Sequence, residues 1–357
     1  MNISSKLRFC RTLLVIATLA LGSAAFAEGD ELVLNPDHPD RYVVVKGDTL
    51  WDISAMFLRD PWLWPEIWYV NPQVENPHLI YPGDVLVLVW VDGKPQLRFD
   101  DGSFRGGDGV EKLTPEARVS ELASPVPTIP FDQIAAFLTR AGIIDKKTFN
   151  KLPHIVAMRD GMVAGAGDEV YVRNLEDPVK GESMKVIRLG DELRDPRNNK
   201  SLGYEVVYVG EGTLNSVGEV SNMMLNDTTR EAKPGDRVIR YEKNPPKNYY
   251  PRGPQSEVDG QIVAVKDGVS RIGQYQMVIV NLGVEDGIEE GHVLSVWQKG
   301  VEVKDGSASP AQSSGRVTLP DERIGLLMIV KPMEEASYAL VMDATFEIKI
   351  LDRVTNP

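Results

Sequence analysis

The hydrophobic positions of this chain change their spacing several times. Residues 13–21 (LLVIATLAL) form an unbroken apolar run behind Lys6, Arg8 and Arg11, and small residues lead from it to Ala25-Phe26-Ala27. This reads as a secretory signal over 1–27, cleaved after Ala27, because the run is shorter than the roughly 20 apolar residues that span a bilayer. No later run reaches that length, so no transmembrane span is expected in the mature chain. A polar leader occupies 28–41. Residues 42–46 (YVVVK) then predict a short strand, interrupted by Gly47-Asp48-Thr49. Leu50, Ile53 and Phe57 recur at helical spacing behind Thr49, which can cap them, and Asp52 adds negative charge to the first turn; a helix over 50–58 follows. Pro61 ends it. Pro65 suits the start of a second helix through Ile67, Trp68 and Val70, which Asn71-Pro72 stops. Tyr81-Pro82-Gly83-Asp84 predicts a turn into an apolar strand over 85–89 (VLVLV). The order over 42–90 is therefore strand, helix, helix, strand.

Residues 91–130 are rich in Gly, Asp, Pro and Ser and read as a linker. A short helical segment over 131–154 begins with the amphipathic stretch FDQIAAFLTRAGI. From 155 to 243 the pattern changes to short β-branched runs between Gly and Asp turns: EVYVR, MKVIRL, YEVVYVGEG and DRVIRY. A proline-rich linker, 244–259, separates a second such block over 260–357, with QIVAV, QMVIVNLG, HVLSVW, IGLLMIVKP, YALVM and FEIKI. Many short strands with glycine turns predict small barrels or sandwiches. The fold class is multidomain α+β, a βααβ module followed by mostly-β domains. The two blocks read as copies, with Gly167-Asp168-Glu169-Val170 against Gly291-His292-Val293, Gly203 against Gly325, and Asp236-Arg237-Val238 against Asp352-Arg353-Val354. Gly-Asp is also a common lead-in to any strand, so coincidence remains the competing reading.

Length changes the picture little: 357 residues suit two or three domains. The cysteine count says more. Cys10, the only cysteine, precedes the apolar run and leaves with the signal, so packing alone must hold each domain. The formal charge of −13 becomes three units more negative once the basic signal residues are removed. Such a chain is a poor ligand for nucleic acid or anionic lipid, both of which are held by neutralising phosphates.

Catalytic chemistry finds little support. Cysteine nucleophiles are absent from the mature chain, and His38, His78, His154 and His292 lie far apart without metal-ligand spacing. No nucleophile elbow or phosphate loop follows a strand, and no cofactor is implied. A glycosidase needs only two carboxylates and escapes this test. The β-rich pattern disfavours it, and the expectation is a protein that is not an enzyme.

The N-terminal pattern resembles the LysM module, at Tyr42, Val44, Gly47-Asp48-Thr49-Leu50, Ile53, Asn71, Ile80, Pro82-Gly83 and Leu86. Its proline-rich helix joint and dense tryptophans depart from the usual module. The resemblance implies a shallow groove for N-acetylated sugars, with Gly47, Asp48, Thr49 and Leu50 on one wall and Asn71, Pro72, His78, Leu79 and Ile80 on the other. An acetamido sugar suits such a groove, since it needs backbone donors and acceptors and apolar contact but no charge. The competing reading is local: Gly47 and Asp48 shape a turn, and Thr49 caps a helix. Residues 51–72 hold four of six tryptophans. Trp64 and Trp68, four apart, share a helix face and are expected in the core, whereas Trp51 and Trp62 fit either core or surface.

Over nearly the whole mature chain, DPWLWPEIWYVNPQVENPHLIYPGD, VPTIPFDQIAAFLTRAGI, VAMRDGMVAGAGDEVYVRNL and the β-rich end resemble the TsaP family of type IV pilus secretin-associated proteins. The C-terminal part of that family is similar to that of the flagellar T-ring protein FlgT. The resemblance implies a periplasmic protein that binds peptidoglycan through its N-terminal module, with a C-terminal part that surrounds or braces an outer-membrane secretin. A tether of this kind would gain avidity from several copies around a ring, and a homo-oligomer or ring is left open. A LysM envelope scaffold unrelated to pili, or a hydrolase with an unrecognised carboxylate site, are the other readings.

Overall fold

The computed structural model describes residues 32–68, 80–100, 126–129, 135, 137, 138, 140–241, 249–266, 272–304 and 316–357. The expected signal over 1–27, most of the linker, residues 131–134, 136 and 139 of the expected 131–143 helix, and Asn71, Pro72, His78 and Leu79 lie outside them.

The N-terminal module is built on a three-stranded antiparallel sheet. Strand β1 (Arg41–Val43) pairs with β2 (Val85–Val91), and β2 turns into β3 (Lys94–Phe99). Strand β3 falls in the stretch expected to be linker. Its signal is present in the sequence: Asp92-Gly93, with φ of 49° and 78°, is a two-residue hairpin turn between the apolar VLVLVWV and the mixed KPQLRF. Helix α1 (Leu50–Phe57) starts as expected, with Thr49 Oγ1 accepting the Asp52 N–H at 3.1 Å. A 3₁₀ turn (Pro61–Leu63) and the short α2 (Trp64–Trp68) follow. All four tryptophans here are buried, Trp51 at 2% exposure and Trp62 at 7%. Trp68 meets Phe99 edge-on at 5.9 Å between ring centres. The cluster is thus core, which a domain of this size without disulfides needs.

The first β block opens with β4 (Ile143–Ile144) and α3 (Lys146–Lys151), the latter capped by Asp145. It continues through β5 (His154–Met158), β6 (Glu169–Arg173), β7 (Ser183–Arg194), β8 (Ser201–Ser216), β9 (Val220–Thr228) and β10 (Arg237–Arg240). The pairing order is β4-β8-β7-β10-β5-β6-β9, and β8 also pairs with β9, which closes a six-stranded circuit. The second block contains β11 (Asp259–Val265), β12 (Met277–Val280), β13 (Val293–Gln298), a separate hairpin of β14 (Glu302–Lys304) and β15 (Arg316–Thr318), then β16 (Glu322–Pro332), β17 (Ser337–Ala344) and β18 (Arg353–Thr355). Without the hairpin it is a closed barrel, β11-β12-β17-β16-β13-β18.

The two circuits have one connectivity, strand for strand, with β5–β10 standing for β11–β13 and β16–β18. Irregularities match as well. The register slips at Ile155/Ala157 and again at Ile262/Ala264, and the bridge Ala164↔Ala232 repeats as Ile272↔Ile348. The blocks are therefore copies of one architecture.

The expected residue matches need correction in two places. Gly291 corresponds to Gly181, not Gly167: both have φ of 87°, and both donate an N–H at 2.8 Å to the facing strand, at Ile329 O and Leu214 O. Gly325 corresponds to Gly210, not Gly203, since each lies against the carbonyl of an aspartate on the next strand, Asp343 and Asp227. Asp236 and Asp352 do correspond, each accepting the N–H three residues back, from Lys233 and Lys349. The misalignment has a simple origin. One four-residue turn, with positive φ at its third residue and a side chain at its fourth bonded to the first N–H, recurs at 165–168, 179–182, 233–236, 273–276, 289–292 and 349–352. A glycine followed by an acceptor therefore does not say which strand comes next. The run FEIKI is corrected too: Ile348 is buried in an isolated bridge, while Phe346 and Ile350 are exposed and the chain turns at 349–352.

In the turn at 289–292 the fourth residue is His292, whose Nδ1 accepts the Glu289 N–H at 3.1 Å. Burial, and next the charge of Arg252, push its pKa below the ordinary 6.5, with Glu289 opposing. The unfolded chain takes up this proton near 6.5 and the folded chain only at lower pH. Stability is then full above about pH 6.5, falls as pH drops towards the folded value, and levels off below it. His292→Gln is expected to flatten this dependence, read as the shift in urea midpoint between about pH 7.5 and about pH 5.

The parts pack together. Inward residues such as Val278, Leu294, Leu327 and Val341 fill the second barrel. The alternate residues Met277, Ile279, Met328, Leu340 and Met342 point outward into the same core as Trp51 and Phe57. This is why QMVIVNLG and IGLLMIVKP read as continuous apolar runs: their strands are buried on both faces. Polar clamps add direction. Arg323 pairs with Asp60 at 2.7 Å, Lys331 donates to Ala141 O at 2.6 Å, and Tyr338 donates to Gly142 O at 3.0 Å.

Candidate functional site

The groove implied by the LysM resemblance lies between the loop after β1 and the chain leading into β2. Two copies of the turn already met in the barrels build it. At 45–48, Gly47 has φ of 104° and the Asp48 carboxylate accepts the Val45 N–H at 2.9 Å. At 81–84, Gly83 has φ of 100° and Asp84 accepts the Tyr81 N–H at 2.8 Å. Space is not what requires glycine at Gly47, since an added Cβ would touch nothing within 4 Å. The left-handed backbone requires it. The turns are tied across the sheet by Val44, whose N–H donates to Asp84 O and whose carbonyl accepts from Gly83, both at 2.8 Å.

Asp48 also accepts from Tyr42 Oη at 2.8 Å. Burial, and then this bond to a carboxylate, push the Tyr42 phenol up to about 12, so it stays a donor at physiological pH. Thr49 donates to Asp52 Oδ2 at 2.7 Å while accepting the Asp52 N–H. On its other oxygen Asp52 accepts from Tyr275 Oη of the second barrel at 3.0 Å. The helix start on the groove wall is thereby fixed to a side chain 223 residues away. The local reading of these residues as turn and cap is thus met in full.

Of the expected wall residues, the structure brings Gly47, Asp48, Thr49, Leu50 and Ile80 to one side of the module. Only the first two face solvent to any extent: Thr49 and Leu50 are each 3% exposed and Ile80 is fully buried. What covers them is the chain itself. Residues 126–129 run between the walls, with Val126 N–H donating to Ile80 O at 2.8 Å, Leu50 N–H to Pro127 O at 2.9 Å, and Trp51 N–H to Thr128 O at 3.2 Å. Sequence reasoning missed this segment and Tyr275, because nothing in local patterning marks a covering segment or a partner so distant in sequence. Among the described residues no cluster of three or more His, Cys, Asp or Glu could hold a metal, and no helix is long and apolar enough to cross a membrane.

Comparison with known proteins accords with the module. A stretch of 60 residues is 40% identical to the "Uncharacterized protein YqbP" of Bacillus subtilis (strain 168), covering 14% of this chain and 27% of that relative. The chain thus spans about a quarter of the relative it matches. The LysM domain family matches residues 42–89, which take in nearly all of β1, both helices and most of β2 and leave out β3. LysM is a binding domain and not a catalytic one, so residues 42–89 are a LysM domain of the kind that supports binding of peptidoglycan sugars.

Proposed function

We propose that this protein is a non-catalytic periplasmic tether, exported by its N-terminal signal, that holds peptidoglycan glycan strands through its LysM domain and an envelope assembly through its paired barrels. The match of the LysM family to 42–89, with Gly47 and Asp48 shaping the groove edge, carries the reading. The sugar-contacting set is Gly47, Asp48, Thr49, Leu50 and Ile80, joined by Asn71, Pro72, His78 and Leu79. The assembly is the outer-membrane secretin of type IV pili, on the resemblance to the TsaP family, with several copies in a ring so that weak single contacts add by avidity.

The test is co-sedimentation of the full mature chain with purified sacculi. Wild type is expected to pellet. Asp48→Ala, which frees the Val45 N–H and the Tyr42 hydroxyl, is expected to pellet several-fold less while still recovering the secretin in a pull-down. Folded wild-type protein left in the supernatant would defeat the wall-binding reading. Release of soluble muropeptides would defeat the non-catalytic one.

A further inference from the structure

We propose that residues 126–129 are a built-in competitor for the LysM groove, so that the domain takes up N-acetylated sugar only when this segment withdraws. The proposal rests on the glycan-binding reading above and adds a regulation to that site.

The chemistry of the contacts points this way. Leu50 and Trp51 carry the first two N–H groups of α1, donors that a helix leaves without internal acceptors, and the next, of Asp52, is taken by Thr49. In a groove that binds acetamido groups, donors of this kind would meet the sugar's amide carbonyl. Here they meet the carbonyls of Pro127 and Thr128. The facing wall offers the carbonyl of Ile80, an acceptor for an amide N–H, and Val126 supplies that N–H. One stretch of peptide therefore presents a donor to one wall and acceptors to the other, which is the pair of groups an acetamido substituent carries. Apolar contact is matched as well, with Val126 at 4% exposure and Ile129 at 1% buried in the core that the module shares with the second barrel.

The seat has one flaw. Thr128 Oγ1 is buried without a hydrogen-bond partner among the described residues. A buried hydroxyl left unpaired weakens the state that buries it. The segment is thus held by three backbone bonds and two apolar side chains against one internal penalty. Because the segment belongs to the chain, its effective concentration at the groove is high, and apparent sugar affinity falls in proportion to the fraction of molecules with the groove open.

The flaw gives variants of opposite sign. Ile129→Asp should expel the segment and tighten binding of a short N-acetylglucosamine oligomer, measured by titration calorimetry on the full mature chain, by about tenfold or more. Thr128→Val keeps the shape, removes the unpaired hydroxyl, and should weaken binding several-fold. A second measurement needs no variant: hydrogen exchange over 126–129 in wild type should speed up when saturating oligomer is added. Equal affinities in the three proteins, or sugar binding that leaves exchange at 126–129 unchanged, would overturn the proposal while leaving glycan binding in place. No binding by wild type or by folded Ile129→Asp would instead remove the glycan reading itself, and this one with it.

Discussion

Trp51→Ala is expected to cost about 3–5 kcal/mol of unfolding free energy, the range for deleting a buried aromatic from a packed core. The magnitude follows from position. Trp51 is 2% exposed, occupies the second position of α1, and belongs to a cluster that runs from Phe57 and Ile80 of the LysM domain to Met328, Leu340 and Met342 of the second barrel. Its loss opens a void between two domains, and neither can collapse into it, since Asp52 and Asp60 on either side are clamped to Tyr275 and Arg323 of the barrel. The check is a denaturant titration followed by far-ultraviolet circular dichroism, which reports the strands as well as α1. Expected is one transition at a much lower midpoint. Two transitions, with the barrels melting at the wild-type midpoint, would show that the LysM domain unfolds alone and that the shared core contributes little.

Gly210→Ala and Gly325→Ala are expected to lose about 3 kcal/mol each, at the upper end of the usual cost of overpacking. Both residues lie mid-strand, in β8 and β16, and a Cβ at either would collide with a backbone carbonyl of the neighbouring strand, Asp227 in one barrel and Asp343 in the other. A side chain could rotate away, but a carbonyl in a ladder cannot move without breaking the pairing. Gly273→Ala is the control, because a Cβ there meets nothing within 4 Å. Similar losses at Gly210 and Gly325, with Gly273→Ala near wild type by thermal melting, are the expected pattern. A mild effect at one of the two would mean that the barrels' equivalence does not extend to packing.

Much of the local structure was legible in the sequence, because local signals are set by neighbours a few residues away. Thr49 before Leu50, Ile53 and Phe57 announces a capped helix, and Asp145 would have announced α3 in the same way. The turns at 45–48 and 81–84 and the apolar strands 85–89 and 277–280 are equally local. Strand β3 was overlooked although Asp92-Gly93 marks it. The two barrels were visible as similar blocks, but their register was not: the same Gly-containing turn precedes several strands, so only the pairing of β8 with β9 and β16 with β17 ties Gly210 to Gly325.

Sequence by itself determined the LysM module, the β-rich blocks and the residues that shape the turns at 45–48 and 81–84 and the cap of α1, since each depends on backbone conformation and periodicity within one short segment. Tertiary structure alone decided the rest. It put Trp51 and Trp62 in the core, bound Asp52 to Tyr275, buried both faces of β12, β16 and β17, and laid 126–129 across Leu50 and Ile80. The physical reason is common to all four. Burial and backbone hydrogen bonds between distant segments depend on which surfaces meet, and a one-dimensional pattern shows that a face is apolar without showing what will cover it.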